Sequence, residues 1–277
     1  MRNAPLAART TIRVGGNASV ICIPQTTAIL GEAVDACRLA SAPHLVLGAG
    51  SNVLFPDSGY AGVIIATEAL SRILPGEGTV DVLCGTHLPA LLAALHRRDV
   101  DTLDFLSGIP GSVGGAIAMN AGIPARAIGD AIETVTVYTA GGLCTLDRNA
   151  CGFSYRSSVI RTSHLTVVAA KLRLDGPSFD GRALLVARRE RQPLTARTAG
   201  CVFKNPPGDS AGRLIEGAGL KGLRVGRAKV SELHANFIVN LGGARCAEIR
   251  KLIDIVHQKV YKSFQISLEL EIEVIEG

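Results

Sequence analysis

An α+β fold is predicted for this chain, because short apolar strands alternate with short amphipathic helices and no longer βαβ units repeat. A hydrophobic content of 47% supplies ample apolar surface and excludes overall disorder. At 277 residues the length approaches what one core can serve, so two domains or lobes are expected.

The elements follow in order. Residues 27–41 place Ile29, Leu30, Ala33, Val34 and Cys37 on or near one helical face, with Pro43 closing the helix. Residues 44–47 and 63–66 read as strands, the second after the turn-forming run Pro56-Asp57-Ser58-Gly59. A strand at 80–84 and a helix at 88–98 come next. The densest glycine segment, SGIPGSVGGAIAMNAG, spans 107–122 and leads into a helical start. Strands at 134–139 and 165–174 end at the break Asp175-Gly176-Pro177, which divides 1–175 from 176–277. A helix at 179–191 opens the smaller part. Residues 246–264 form a helix with Ile249, Leu252, Ile253, Val256 and Val260 as its apolar stripe. Residues 267–274 alternate strictly, which predicts a strand with Leu268, Leu270, Ile272 and Val274 on one face and Glu269, Glu271 and Glu273 on the other. Those glutamates either form a solvated edge or turn one carboxylate into a site. Period-two alternation does not choose between the two.

Composition narrows the function classes. No stretch reaches 18 uncharged apolar residues and the start lacks a secretory apolar region, so neither a membrane span nor a signal peptide is expected. Seven irregularly spaced cysteines without a CxxC pair fit reduced thiols. No second histidine stands at metal-ligand spacing from His234, and no metal is predicted. The net charge of +5 is concentrated between 182 and 229, where eleven Lys or Arg residues face three acids. Such a stretch is either a solvated face or the lining of a cleft for an anion. It lacks a recognisable nucleic-acid-reading module, so no nucleic-acid partner is expected.

Four segments carry candidate chemistry. Leu47-Gly48-Ala49-Gly50-Ser51-Asn52 follows a strand and offers backbone N–H groups to a phosphate, without being a GxGxxG fingerprint. Gly108-Ile109-Pro110-Gly111-Ser112-Val113-Gly114-Gly115 permits close backbone approach of a ligand. Two such loops favour a diphosphate-bearing cofactor, and two ordinary turns are the alternative. Tyr155-Arg156 lies in the polar patch CGFSYRSS. Cys201, in GCVFKNP, is either a small buried hydrophobe or an exposed proton donor near cations.

Taken in order, TIRVGGNA (11–18), LGAGSNVLFPDSGYAGVII (47–65), GIPGSVGGAIAMNAG, CGFSYRSS, GCVFKNP, AGLKGLRVGRAKVSELHANFIVN and the segment 268–277 resemble the UDP-N-acetylenolpyruvoylglucosamine reductase family. The resemblance covers nearly the whole chain. It implies a two-lobed FAD-binding domain of the vanillyl-alcohol-oxidase type at 1–175 (lobes near 1–67 and 68–175). A smaller α+β substrate-binding domain would occupy 176–277. It further implies a cytoplasmic, monomeric enzyme that uses FAD and NADPH to reduce UDP-N-acetylglucosamine enolpyruvate to UDP-N-acetylmuramate in peptidoglycan synthesis. Arg13, Gly15, Gly48, Gly50, Ser51, Asn52, Gly108, Pro110, Gly111, Ser112, Gly114 and Gly115 match the cofactor side. Tyr155, Lys204, Asn205, Ser231 and His234 match the substrate side. The family's polarising arginine falls on Arg156, its carboxyl-terminal glutamate on Glu271, and its proton donor, usually serine, on Cys201. Gln265 stands where the family usually has glycine, and the absence of a tyrosine-bearing insertion resembles the type II form. The alternatives are a related flavoprotein oxidase, which GCVFKNP and VSELHANFIVN oppose, and a noncatalytic flavin or nucleotide-sugar binder, which Arg156 and Glu271 oppose.

Overall fold

The computed structural model describes residues 1–276. The chain divides into two compact units. One joins Met1–Val20, Gly50–Ala61 and the chain from Arg188 onward; the other joins Ile21–Ala49 and Gly62–Ala187.

The second unit is built on a five-stranded antiparallel sheet. Its strands run, edge to edge, Gly142–Asp147, Ile132–Thr139, Thr166–Arg173, Thr79–Leu83 and Ile73–Pro75. Apolar residues on these strands turn inward: Val80, Val82, Ile132, Val135, Val137 and Leu172 are buried. They share one cluster with Leu30 and Val34 of the helix Thr27–Leu39, with Leu88, Leu91 and Leu95 of Leu88–His96, and with Val113 and Ile117 of Val113–Ala118. Thr26 starts the first of these helices, its hydroxyl accepting the N–H of Ile29 at 3.2 Å. His44–Leu47 pairs in parallel with Val63 to Ala66.

In the first unit the strands Arg224–Val225, Ala228–Val230 and Ile238–Asn240 form a small antiparallel sheet. The helix Cys246–Phe264 buries its predicted stripe completely: Ile249, Leu252, Ile253, Val256 and Val260 are all in the core. Ile12, Val14 and Leu54 enter the same core, which explains why the amino-terminal segments group with the carboxyl-terminal ones. Polar ties reinforce this. Thr11 Oγ1 donates to Thr198 O at 2.7 Å, and Asn240 Nδ2 donates to Ile12 O at 2.9 Å. Asp57 accepts the N–H groups of Cys246 (2.8 Å) and Ala247 (3.0 Å), placing a negative charge at the start of the long helix, where its dipole favours one. The division into units therefore differs from a single cut near residue 175. Residues 1–20 and 50–61 are bound by tertiary contacts that a local break signal does not register.

The predicted strand at 267–274 is only partly formed. Regular pairing is confined to Glu273–Val274, parallel to Val53–Leu54, and Leu270 makes an isolated bridge to Phe203. Leu268 and Ile272 are buried as the alternation requires, but Leu270 is 37% exposed. The segment is irregular because its backbone partners lie on two different chain segments.

The long helix ends on Gln265, whose backbone is left-handed (φ 55°, ψ 28°) and whose N–H donates to Tyr261 O at 2.8 Å. A glycine adopts this cap without strain. Gln265→Gly is accordingly expected to raise stability by about 1 kcal/mol, read as an increase in the urea midpoint at unchanged slope.

Candidate active site

In the first unit, the segment Cys201–Lys204 is held along both edges. On one side Val202 N donates to Asn236 O (2.8 Å), and Cys201 bridges Phe237. On the other, Glu271 N donates to Val202 O (2.8 Å) and Lys204 N donates to Glu269 O (2.8 Å). These bonds bring two of the three predicted catalytic residues, Cys201 and Glu271, onto adjoining backbone segments. Asn52 joins them: its Nδ2 donates to Glu271 O at 3.1 Å, and its own carbonyl accepts Glu273 N at 2.9 Å. The loop before Asn52 is therefore anchored to the carboxyl-terminal segment.

Among the cysteines, burial pushes the Cys84 thiol up to about 12 and those of Cys151 and Cys246 up to about 11, so these three stay protonated at neutral pH. They act as small buried hydrophobes. Cys201 is only partly buried and follows Gly200, whose φ is 81°.

The predicted substrate-side residues are engaged as follows. Lys204 Nζ pairs with Glu269 Oε2 at 3.2 Å. Asn205 Oδ1 accepts Ala211 N at 3.0 Å, beside the start of the helix Ala211–Gly217. The Ser231 hydroxyl is buried and accepts Leu233 N (3.2 Å) and His234 N (3.4 Å), so it organises its own turn. His234 Nδ1 accepts Asn236 N at 3.2 Å, and its ring packs edge-on against Phe237 at 5.0 Å. Burial, aided by the charge of Lys221, holds its pKa below the usual histidine value. The unfolded chain thus binds a proton that the folded chain resists. Stability is fully present above about pH 6.5 and is lost as pH falls through the lowered folded value. Urea titrations across that range are expected to show this acid-side slope, and His234→Gln is expected to shed it. Within the basic stretch, Arg213 pairs with Asp209, Lys221 with Glu216 and Lys229 with Glu232.

On the amino-terminal side, Arg13 has a left-handed backbone (φ 57°) and donates Nη1 to Ala8 O at 2.8 Å. Gly50 (φ 63°) lies so close to Arg9 that a Cβ there would fall 2.1 Å from its carbonyl oxygen. A Cβ on Gly15 would meet Phe55 Cβ at 2.8 Å. Packing inside the protein already requires both glycines.

In the second unit, the two glycine loops adjoin. A Cβ on Gly48 would stand 2.3 Å from Ser112 Oγ. Ser112 caps the helix Val113–Ala118, with Gly115 N donating to its Oγ at 3.4 Å. Gly111 O accepts Leu88 N (3.0 Å), and Gly114 N donates to Cys84 O (2.8 Å). Gly108 and Gly111 have φ values of 78° and 147°, and Pro110 lies between them. A Cβ on Gly114 would meet Cys84 Cβ at 3.0 Å, so that glycine serves internal packing. Glycine backbone at 48 and at 111, beside Ser112 where the two loops touch, fits a diphosphate-bearing cofactor that needs close main-chain approach.

Tyr155 and Arg156 occupy the tip of a tight turn closed by the Ser154–Ser157 bridge. Asn120 Nδ2 donates to Ser154 O (2.9 Å), and buried Ser158 Oγ donates to Ala118 O (2.8 Å), fixing both flanks. Arg156 is left-handed (φ 54°); its guanidinium lies 5.3 Å from the Tyr155 ring centroid and its Nη2 donates to Gly122 O at 3.3 Å. The predicted trio is thus divided, with Cys201 and Glu271 in the first unit and Arg156 in the second. Among the described residues no group of three or more His, Cys, Asp or Glu is arranged to hold a metal ion, and no helix is long and apolar enough to cross a membrane.

Residues 18–146 match the family described as FAD binding domain, and residues 192–275 match that described as UDP-N-acetylenolpyruvoylglucosamine reductase, C-terminal domain. A UDP-N-acetylenolpyruvoylglucosamine reductase of Moorella thermoacetica is 41% identical over 280 residues, covering 99% of this chain and 92% of the relative. The chain belongs to the UDP-N-acetylenolpyruvoylglucosamine reductase family. A second reductase, from Synechococcus elongatus, is 39% identical over 98% of the chain. The crystal structure of the reductase MurB from Thermus caldophilus superposes with a TM-score of 0.80 at 37% identity, covering 98% of this chain and 97% of that one. The α+β class and the FAD-binding character expected of the family are both present.

Sequence reading assigned no site role to Asn236, although its side chain holds the Phe203 backbone. The only available signal was its place in the HANFIVN phrase.

Proposed function

We propose that this chain reduces UDP-N-acetylglucosamine enolpyruvate to UDP-N-acetylmuramate with NADPH, using Arg156, Cys201 and Glu271 as its catalytic residues. The observation that supports the assignment most directly is the Glu271 N to Val202 O bond of 2.8 Å, which sets the carboxylate segment beside the segment bearing the thiol.

The loops around Gly48 and Gly108–Gly115 would hold FAD, which would supply hydride transfer between NADPH and the enolpyruvyl double bond. Addition of hydride to the terminal alkene carbon leaves negative charge at the carbon bearing the carboxylate. Arg156 stabilises that charge, and Glu271 does so as a protonated acid or through a water, because donors aimed at developing charge lower the barrier most. Cys201 gives its proton to this carbon, completing the lactyl ether. Tyr155, Lys204, Asn205, Ser231 and His234 are the residues assigned to the sugar nucleotide and carboxylate.

A nucleotide-sugar substrate, NADPH and seven free cysteines fit a cytoplasmic step, and a monomer suffices because one chain carries every assigned residue. Light scattering of the purified protein tests the latter. The activity itself is tested anaerobically: bound flavin bleached by NADPH should regain its oxidised spectrum when the enolpyruvyl sugar nucleotide is added. Bleaching without return would reject the assignment.

A further inference from the structure

We propose that Asn236 is a positioning residue that sets the proton donor, acting through the backbone of residues 201–203; the inference rests on the assignment of Cys201 and Glu271 above.

Asn236 is 2% exposed, and four of its polar groups are engaged by the segment it holds or by its own turn. Its Oδ1 accepts Phe203 N at 2.9 Å, and its Nδ2 donates to Phe203 O at 2.7 Å. Its main-chain carbonyl accepts Val202 N at 2.8 Å, and its main-chain N–H donates to His234 Nδ1 at 3.2 Å. The side-chain amide thus takes the place of a neighbouring strand's peptide group, offering donor and acceptor together to one residue. The opposite edge of 201–204 is held by the segment 269–272, through Glu271 N to Val202 O and Lys204 N to Glu269 O.

Neither edge is a regular ladder. Cys201 and Phe203 make only isolated bridges, to Phe237 and Leu270. Without the amide, Phe203, itself buried, has no regular strand to fix its peptide groups on that edge. The direction in which Cys201 leaves the chain then rests, beside the main-chain bond of Val202 N to Asn236 O, on one buried side chain. Asn236 touches no reacting atom in this account. It fixes the geometry of the thiol that does.

The test uses the full-length holoenzyme and separates the two half-reactions. Asn236→Ala is expected to slow reoxidation of NADPH-reduced flavin by UDP-N-acetylglucosamine enolpyruvate by about 10- to 100-fold, the scale on which small misplacements act. Flavin reduction by NADPH should stay near the parent rate. Hydrogen exchange at the amides of 201–204 should quicken, a readout independent of activity. In a Cys201→Ala background, Asn236→Ala should cost little more, because both changes act through the same proton donor. Asn236→Asp keeps the shape and the acceptor for Phe203 N–H, serves if the alanine variant does not fold, and should show a smaller loss in the same step. Equal losses in both half-reactions, no loss, or a full loss on top of Cys201→Ala would overturn the role of Asn236. A parent-like rate in Cys201→Ala alone would instead overturn the assignment of Cys201.

Discussion

Cys201→Ala is expected to slow substrate-driven flavin reoxidation by about 10²- to 10⁴-fold, the range attributed to a positioned general acid. NADPH-driven reduction of the flavin should remain close to the parent rate, because no proton from residue 201 is needed there. Stopped-flow absorbance of each half-reaction separates the two. Cys201 lies partly buried in an irregular segment after the left-handed Gly200, unlike the deeply buried Cys84 and Cys151. Cys201→Ser is expected to remain active, since a hydroxyl occupies nearly the same place and also donates a proton. A flavin-loaded serine variant without turnover would count against proton donation from this position.

Arg156→Ala is expected to lower kcat for the enolpyruvyl substrate by about 10²- to 10³-fold, the effect of removing one donor from a developing oxyanion. Arg156→Lys should recover only part of this, because an ammonium lacks the planar fork of a guanidinium. The turn geometry sharpens the expectation. Arg156 holds a left-handed backbone in a turn closed by the reciprocal Ser154–Ser157 bonds of 3.0 and 3.2 Å, whose flanks Asn120 and Ser158 fix, so its side chain leaves the chain in an imposed direction. Comparable losses in kcat and in NADPH-driven flavin reduction would indicate damage to the cofactor site, and would remove Arg156 from the charge-stabilising role.

The parts of the fold that the sequence made legible are those whose signal is local. The helix Cys246–Phe264 is an example: its stripe repeats at helical spacing and every predicted member is buried. The segment 267–274 is a counterexample. Its alternation is equally regular, yet Leu270 is substantially exposed and only Glu273–Val274 pairs as a strand, because the available partners are Phe203 and Val53–Leu54 on separate stretches of chain. Alternation reports which residues prefer burial and says nothing about whether a ladder partner exists. Gln265 shows the same limit from another side: the residue type argues against a left-handed cap, and the helix ends on one regardless.

At the site, motif order points to Arg156, Cys201 and Glu271, but which of the surrounding residues hold them was not legible. Asn236 acts on a backbone 33 positions away, and Asn52 on one 219 positions away, so no local pattern marks either. Ser231 and His234 were expected on the substrate side, and each also has an internal partner that periodicity does not disclose.

The bond from Asp57 to the start of the last long helix also bears on how the protein is made. The first unit draws on Met1–Val20, Gly50–Ala61 and everything from Arg188 onward, so it lacks most of its interior until the final third of the chain has left the ribosome. Helix Cys246–Phe264 then finds its capping carboxylate 189 positions upstream. Ile21–Ala49 and Gly62–Ala187 are complete much earlier. During synthesis Ile12, Val14 and Leu54 must therefore wait without their eventual apolar neighbours, an interval in which a nascent chain is vulnerable to aggregation and is a natural client for chaperones.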